Sequence, residues 1–349
     1  MQDKIKVIII EDSNSIRDIL VQGLKTDPEF EVLGATPDVY SGREMVVKTK
    51  PDVLLLGIEM PKMDGVEFLR RFIPQFNIPV VVISSMTQKG KLITMQALDA
   101  GAVDFVPRHT TNIARNLEQI MNEISTKLKT ASTANLSSIG KPTISVRQLK
   151  VLSGLDLSQY SDKVIAIGAS TGGTEALKKV ITHLPVDCPC ILVVQHMPAG
   201  FTKTFADRLN EMSKVQVKEA ESGDRIIAGR VLIAPGDYHM KVSSTNGVLE
   251  VNCETGERVN GHRPSIDVMM FSVAEHIGDK AYGMILTGVG TDGAQGLKAM
   301  KTAGAKTLAQ DEKSSVIFDL PKYASEIEAV DRQCNIDTMA EELIHIITE

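Results

Sequence analysis

Tryptophan is absent from the chain, and cysteine is scarce: four residues in 349, Cys188, Cys190, Cys253 and Cys334. Without an indole, the chain has no tryptophan signal to report on folding. The cysteines lack the C-x-x-C pairing that binds zinc or exchanges thiols, so they read as free thiols of a reducing compartment. The opening MQDKIKVIII carries charge and a short apolar run that stops at Glu11 and Asp12, which fits neither a signal peptide nor membrane insertion. A surplus of basic residues is also missing. With a net charge of −6, a bulk electrostatic grip on nucleic acid is not expected. These exclusions place the protein in the cytoplasm as an expectation.

What the chain does contain is apolar material for two cores: 43% of its residues are hydrophobic and 23% charged, and its length exceeds the ~150 residues usual for one domain. Short apolar runs alternate with amphipathic stretches, as in Lys6–Ile10 then Ser15–Lys25, Asp52–Leu56 then Gly65–Phe72, and Pro79–Ser84 then Leu92–Ala100. The same rhythm resumes with Lys163–Gly168, Thr174–His183, Ile191–Gln195 and Gly200–Met212. This pattern predicts an α/β fold of two doubly wound parallel sheets, each covered on both faces. Between them lies TASTANLSSIGKPT, a linker by composition in which Val146, Leu149, Val151 and Leu152 are the apolar residues able to dock on a neighbour. The predicted units are residues 1–126, a linker over 127–160, and residues 161–349.

In the second half, Gly168-Ala-Ser-Thr-Gly172 ends an apolar run and opens an amphipathic helix, matching G-x-S-x-G with Ser170 as a candidate nucleophile. The amide of Thr171, at the helix start, is placed to stabilise an oxyanion. A serine needs a base, and the base needs a carboxylate to fix its tautomer. His196 and Asp292 each follow an apolar strand directly, so three strand ends meet at the edge where open α/β sheets bind ligands. Taken singly, His196 also reads as a hydrogen-bonded loop histidine and Asp292 as the N-cap of Ala294–Ala303. The chain order Ser, His, Asp differs from the Ser, Asp, His of α/β-hydrolases. His239 and His262 are rival bases, ranked second as pocket residues together with Arg263, which suits an acidic substrate.

The blocks GASTGGTEAL, VVQHMPAGFT, IAPGDYHM, HRPSIDVM and ILTGVGTDGAQG resemble the signature blocks of the CheB family of chemotaxis methylesterases. The resemblance spans the whole chain. It implies an amino-terminal receiver of flavodoxin-like fold, a linker and a Rossmann-like three-layer α/β hydrolase, with Ser170, His196 and Asp292 as nucleophile, base and orienting carboxylate. The backbone amide completing the oxyanion hole falls on Val289, where methionine is expected. The implied activity is hydrolysis of glutamate γ-methyl esters on methyl-accepting chemotaxis receptors, with deamidation of specific glutamines in many members, both through a glutamyl-enzyme ester. Receptors, and other chemotaxis signalling proteins, are the implied partners, and no cofactor is implied for the hydrolase.

The first half resembles a receiver that has lost its acceptor. Glu11 and Asp12 match the acidic Mg²⁺ pocket, and Ser84 matches the switch hydroxyl. The acceptor block, however, reads Gly57-Ile-Glu-Met-Pro-Lys-Met-Asp-Gly65, so the position of the phosphorylated aspartate is a glycine. Arg108 stands where the receiver lysine is expected. The Mg²⁺ pocket then either keeps weak affinity or is vestigial. In the family the unmodified receiver restrains the hydrolase, so two outcomes are open here: weak docking with constitutive activity, which is the expectation, or firm docking until a protein partner separates the domains. Two rival readings are a scaffold that has lost catalysis, opposed by the intact Ser170, His196 and Asp292, and a DNA-binding regulator, opposed by the acidic balance and the absence of a helix-turn-helix signal.

Overall fold

The computed structural model describes residues 3–60, 65–108, 117–138 and 156–349. The chain divides into two compact units, Met1–Gly140 and Lys141–Glu349.

In the first unit, strands β1 (Ile5–Ile10), β2 (Phe30–Thr36), β3 (Val53–Gly57), β4 (Val80–Ser85) and β5 (Asp104–Arg108) form one parallel sheet in the order β2-β1-β3-β4-β5. Their sequences are unbroken apolar runs because helices cover both faces: every residue of β3 and β4 is buried. The chain reverses direction across the sheet between β1 and β3, and there the carboxyl ends of the strands open a crevice.

In the second unit, seven strands run in the order β15-β14-β13-β6-β7-β10-β8, every pairing parallel, with β8 at Gln216–Glu219, β10 at Arg230–Ile233, β14 at Lys306–Gln310 and β15 at Arg332–Cys334. The three central ones are β6 (Val164–Ala169), β7 (Cys190–Gln195) and β13 (Ala281–Ile285), all fully buried. From β6 the chain winds outward through β7 and returns to β13 on the opposite side, so β6 lies at the switch of direction. Both units therefore have the doubly wound parallel architecture expected of them.

Two features depart from the sequence reading. The first helix-to-linker boundary, set at 126, falls inside the last helix of unit one, Leu117–Ser132, which buries Ile124, Leu128 and Ala131 on one stripe. Alanine and threonine in TASTA read as linker by composition, yet Ala131 continues the apolar period and extends the helix. The linker's far end is also ordered: Leu157 is fully buried and its amide donates to the Asp187 carboxylate (2.6 Å). Val146, Leu149, Val151 and Leu152 lie outside the described residues. The second departure is a three-stranded antiparallel sheet in unit two, in which β12 (Val248–Glu254) lies between β11 (His239–Thr245) and β9 (Asp224–Arg225). Its hairpin pairs His239–Thr245 with Val248–Glu254 across Asn246-Gly247, both with positive φ (53° and 78°), as a two-residue turn of type I′ requires.

The helical extension makes a prediction. Leu128→Ala in the full chain is expected to destabilise unit one by about 3 kcal/mol through the cavity it leaves, with unit two unaffected. Amide hydrogen exchange under mild denaturant reads the two units separately, and unchanged protection of the Leu117–Ser132 amides would contradict it.

Candidate active site

The site in unit two is set by strand register. Ala169 pairs with Gln195 at the carboxyl ends of β6 and β7, so the next residues, Ser170 and His196, emerge side by side from strands ~4.8 Å apart. The His196 amide closes this pairing by donating to the Ala169 carbonyl (3.0 Å). After Ser170 the chain turns into helix Gly173–Ile181. The left-handed turn is made by Gly172 (φ 77°), and Ser170 keeps an ordinary negative φ, unlike the strained serine of a nucleophile elbow. A Cβ on Gly172 would also lie 2.7 Å from Val316. Glycine there satisfies both constraints.

The loop after β13 crosses above Ser170. It comes so close at Gly288 that a Cβ there would stand 2.4 Å from the Ser170 Cβ. This crossing carries Val289 past the serine and brings Asp292 to the imidazole: His196 Nε2 lies 2.8 Å from Asp292 Oδ2. Asp292 is not the N-cap of its own helix, a place taken by Gly293. Its carboxylate instead seats on the N-terminus of a different helix, Ile266–His276, accepting from the amides of Ile266 (2.6 Å) and Asp267 (3.3 Å). Ser265 Oγ (2.7 Å) and Asn260 Nδ2 (2.8 Å) complete the shell. Burial alone would push this acid up. The bond and charge of His196, with Asn260 and Ser265, more than offset that and hold Asp292 well below the ordinary carboxylate range.

The other ring nitrogen of His196, Nδ1, is buried and has no hydrogen-bond partner. The imidazole is thus held at Nε2 and open at Nδ1. Its side chain is 7% exposed, and Ser170 is 8% exposed, which keeps bulk water off the site.

The remaining candidates divide. His262 lies face to face on His196, with ring centroids 3.6 Å apart and planes 6° apart. Burial, with help from His196 and Arg258, lowers its pKa to about 4, so it is neutral at pH 7 and a weaker base than an ordinary imidazole. His239 is a brace. One ring nitrogen accepts from the Ser265 amide (3.2 Å) and Nε2 donates to the Glu257 carbonyl (2.8 Å), so both are spent on the backbone that shapes the loop. Arg263 likewise turns Nη1 to the Gly256 carbonyl, holding the same loop.

In unit one, the end of β3 carries Gly57, and the space its side chain would need is filled: a Cβ there would meet Glu11 Oε2 at 2.5 Å. Glu11 is 2% exposed. Burial pushes its carboxyl up to about 7, although the Ser13 amide and Arg108 oppose the shift. Arg108 Nη1 is 3.6 Å from Glu11 Oε1. Asp12 is half-buried beside it. Ser84 turns its hydroxyl away into helix Gln88–Asp99, donating to the Gly90 carbonyl (3.0 Å) and accepting from Thr94 (2.6 Å). This donor set does not suit Mg²⁺: the third carboxylate is missing, and a guanidinium sits against one of the two that remain. Among the described residues, no group of three or more His, Cys, Asp or Glu is arranged to hold a metal ion.

Comparison with known proteins agrees with both halves. A CheB methylesterase family model matches residues 165–343, and a response regulator receiver domain model matches residues 7–122. A protein-glutamate methylesterase/protein-glutamine glutaminase of Syntrophotalea carbinolica is 52% identical over 350 positions, spanning 100% of this chain and 99% of that one. The chain belongs to the CheB methylesterase family. A protein of the same description from Escherichia coli is 42% identical across 98% of this chain and 96% of its own length. The crystal structure of the Thermotoga maritima CheB methylesterase catalytic domain superposes with a TM-score of 0.52 at 38% identity, covering 53% of this chain and 98% of that one.

Three residues of this CheB-family site escape a reading of the sequence. Gln195, 4% exposed, donates from one amide to the carbonyls of both Ser170 (2.9 Å) and His196 (3.2 Å), tying the two strand ends together. Asn260 bonds both Asp292 and Asp267. Ser265 caps helix Ile266–His276 while bonding Asp292. Asn260-Gly261 is itself a turn signal of the kind that places such side chains, whereas nothing local marks Gln195 or Ser265.

The saturated carboxylate predicts a linked loss of stability. Asp292→Asn should destabilise unit two by roughly 2–4 kcal/mol at pH 7, because an amide NH₂ then faces buried donors. Since the folded pKa is lowered from 3.8, the carboxylate's contribution is fully present above that value and fades as pH falls below it. Urea unfolding at pH 7 and pH 3 should therefore show a gap between wild type and variant that narrows in acid. An equal gap at both would refute the charged network.

Proposed function

We propose that the chain is a protein-glutamate methylesterase, with protein-glutamine glutaminase activity, that acts on methyl-accepting chemotaxis receptors through Ser170, His196 and Asp292. The observation that carries the reading is the imidazole bound to Asp292 through Nε2, with Nδ1 open, at the strand end beside Ser170. On this reading Ser170 Oγ attacks the γ-carbonyl carbon of the ester while its proton passes to His196 Nδ1. The charge that appears on the imidazole is met by the Asp292 carboxylate. The tetrahedral oxyanion is received by the backbone amides of Thr171 and Val289. Collapse expels methanol, which takes the proton from His196, or ammonia when the substrate is a glutamine. Water activated by the same nitrogen then releases Ser170 and leaves a glutamate. The ring nitrogens have the reverse of the usual serine-protease assignment, in which Nδ1 faces the carboxylate.

The reading of the receiver rests on Gly57. With no carboxylate there, and with Glu11 held by Arg108 in the vacated space, unit one accepts no phosphoryl group and recruits no Mg²⁺ for the purpose. A ligand shifts an equilibrium only by binding its two states differently, so phosphate has no hold on this unit and does not set the activity of the hydrolase.

Two experiments test these readings. Ser170→Ala should cut methanol release from methylated receptor membranes by at least ~10³-fold without loss of fold, and adding His196→Ala should cost little more, as residues acting as a unit do. A folded Ser170→Ala protein releasing methanol at the wild-type rate would remove the serine from the mechanism. For the receiver, acetyl phosphate with Mg²⁺ should leave no hydroxylamine-labile adduct by mass spectrometry and should change turnover by less than about threefold, or ~0.65 kcal/mol. A stoichiometric adduct on unit one would overturn the assignment.

A further inference from the structure

We propose that His262 is a positioning residue for His196, fixing the plane of its ring by face-to-face stacking so that Nδ1 is presented to Ser170. The inference rests on the triad reading given above.

A ring bound by one hydrogen bond is held at one corner. His196 has its bond at Nε2 and none at Nδ1, so hydrogen bonding alone leaves it free to swing about that corner. The restraint on its plane is His262, in parallel contact at 3.6 Å over the whole ring. His262 is itself rigidly delivered. Val259 and His262 exchange backbone bonds (3.0 and 2.9 Å), and Asn260 and Gly261 between them both have positive φ (53° and 81°), the type I′ turn that Asn-Gly favours. The same turn reaches Asp292 through the Asn260 side chain. The four-residue turn therefore touches the base through His262 and the carboxylate through Asn260, so one element bears on both ring plane and carboxylate position.

The geometry excludes a proton relay between the two histidines. Imidazole lone pairs and N–H bonds lie in the ring plane, and rings stacked 6° from parallel point their nitrogens outward, never at each other. His262 is also uncharged at neutral pH, kept so by burial and by His196 and Arg258 against the opposing charge of Asp292, and an uncharged face does not repel the imidazolium that forms during turnover. Its role acts through His196 and requires a flat face, not a nitrogen.

The test uses the full chain with His262→Ala, His262→Phe and His262→Leu. Steady-state methanol release from methylated receptor membranes gives kcat and KM, and a serine-reactive fluorophosphonate gives the rate of Ser170 labelling. Ala and Leu should lower kcat on the order of 10- to 100-fold, as a misaligned catalytic group does, with KM within about twofold and labelling slowed in parallel. Phe, which keeps a planar face and lacks nitrogens, should return kcat to within about threefold of wild type. Should the Ala protein fail to fold, the Phe and Leu pair makes the same comparison at similar volume. Undiminished kcat in Ala or Leu would overturn the proposal, as would Phe no better than Leu, or a rise in KM with kcat intact, the mark of a residue that only lines the pocket. Ser170→Ala is labelled alongside: labelling that survives there would overturn the triad reading itself, whereas loss there with normal labelling in the His262 variants would overturn the stacking role alone.

Discussion

The Asp292 carboxylate holds the site together. A buried negative charge is tolerated only where donors surround it, and this one draws on two helix-terminal amides, a hydroxyl, a side-chain amide and the His196 ring. Those donors come from three pieces of chain: the end of β7, the Asn260 turn, and the cap Ser265 with the first turn of the helix it opens. Each is drawn toward one point by the same charge. The result is an anion whose solvation is replaced by fixed protein dipoles, ready for a cation to form beside it without rearrangement.

The two units show what happens when the same architecture keeps or loses such a partner. Both have parallel sheets whose strand ends gather acidic residues at a change of winding. In the second, Asp292 finds enough donors to stay ionised far below its usual range. In the first, the β3 end carries Gly57, Glu11 occupies the space a side chain there would take, and one amide with the Arg108 guanidinium does not compensate its burial, so its carboxyl is pushed up to about 7. The difference lies in the number of donors within reach, not in the fold.

Much of this is visible in the residue order. Unbroken apolar runs such as Val164–Ala169 and Cys190–Gln195 read as buried parallel strands, and a residue just past such a run must sit at the sheet's binding edge, which is why Ser170 and His196 stand out, whereas Asp292 reaches the site on the loop beyond β13 rather than directly at its strand end. The linker boundary at 126 was less legible, because a helix rich in Ser, Thr and Ala has the composition of a loop until burial of Leu128 and Ala131 decides it. The β11–β12 hairpin carries its signal in Asn246-Gly247, but its strands are rich in polar residues and partly exposed, so the apolar signal is weak. Gln195 and the stacking of His262 have no local signature at all. They depend on which strands are neighbours and on where a turn lands, and both are properties of the assembled sheet.

The separation of the site's parts along the chain also governs when it comes into being. His196 and Asp292 are 96 positions apart, and the strand that delivers Asp292 docks against β6, formed more than a hundred residues earlier. Long-range parallel pairings of this kind form late, since the loops they close must first be gathered. During synthesis the serine, the histidine and their strands leave the ribosome well before β13 exists. Over that interval the nascent chain carries Ser170 and His196 without the carboxylate that holds the imidazole, so the site is assembled only when its sheet is nearly complete, and its appearance is itself a clock for the final stage of folding.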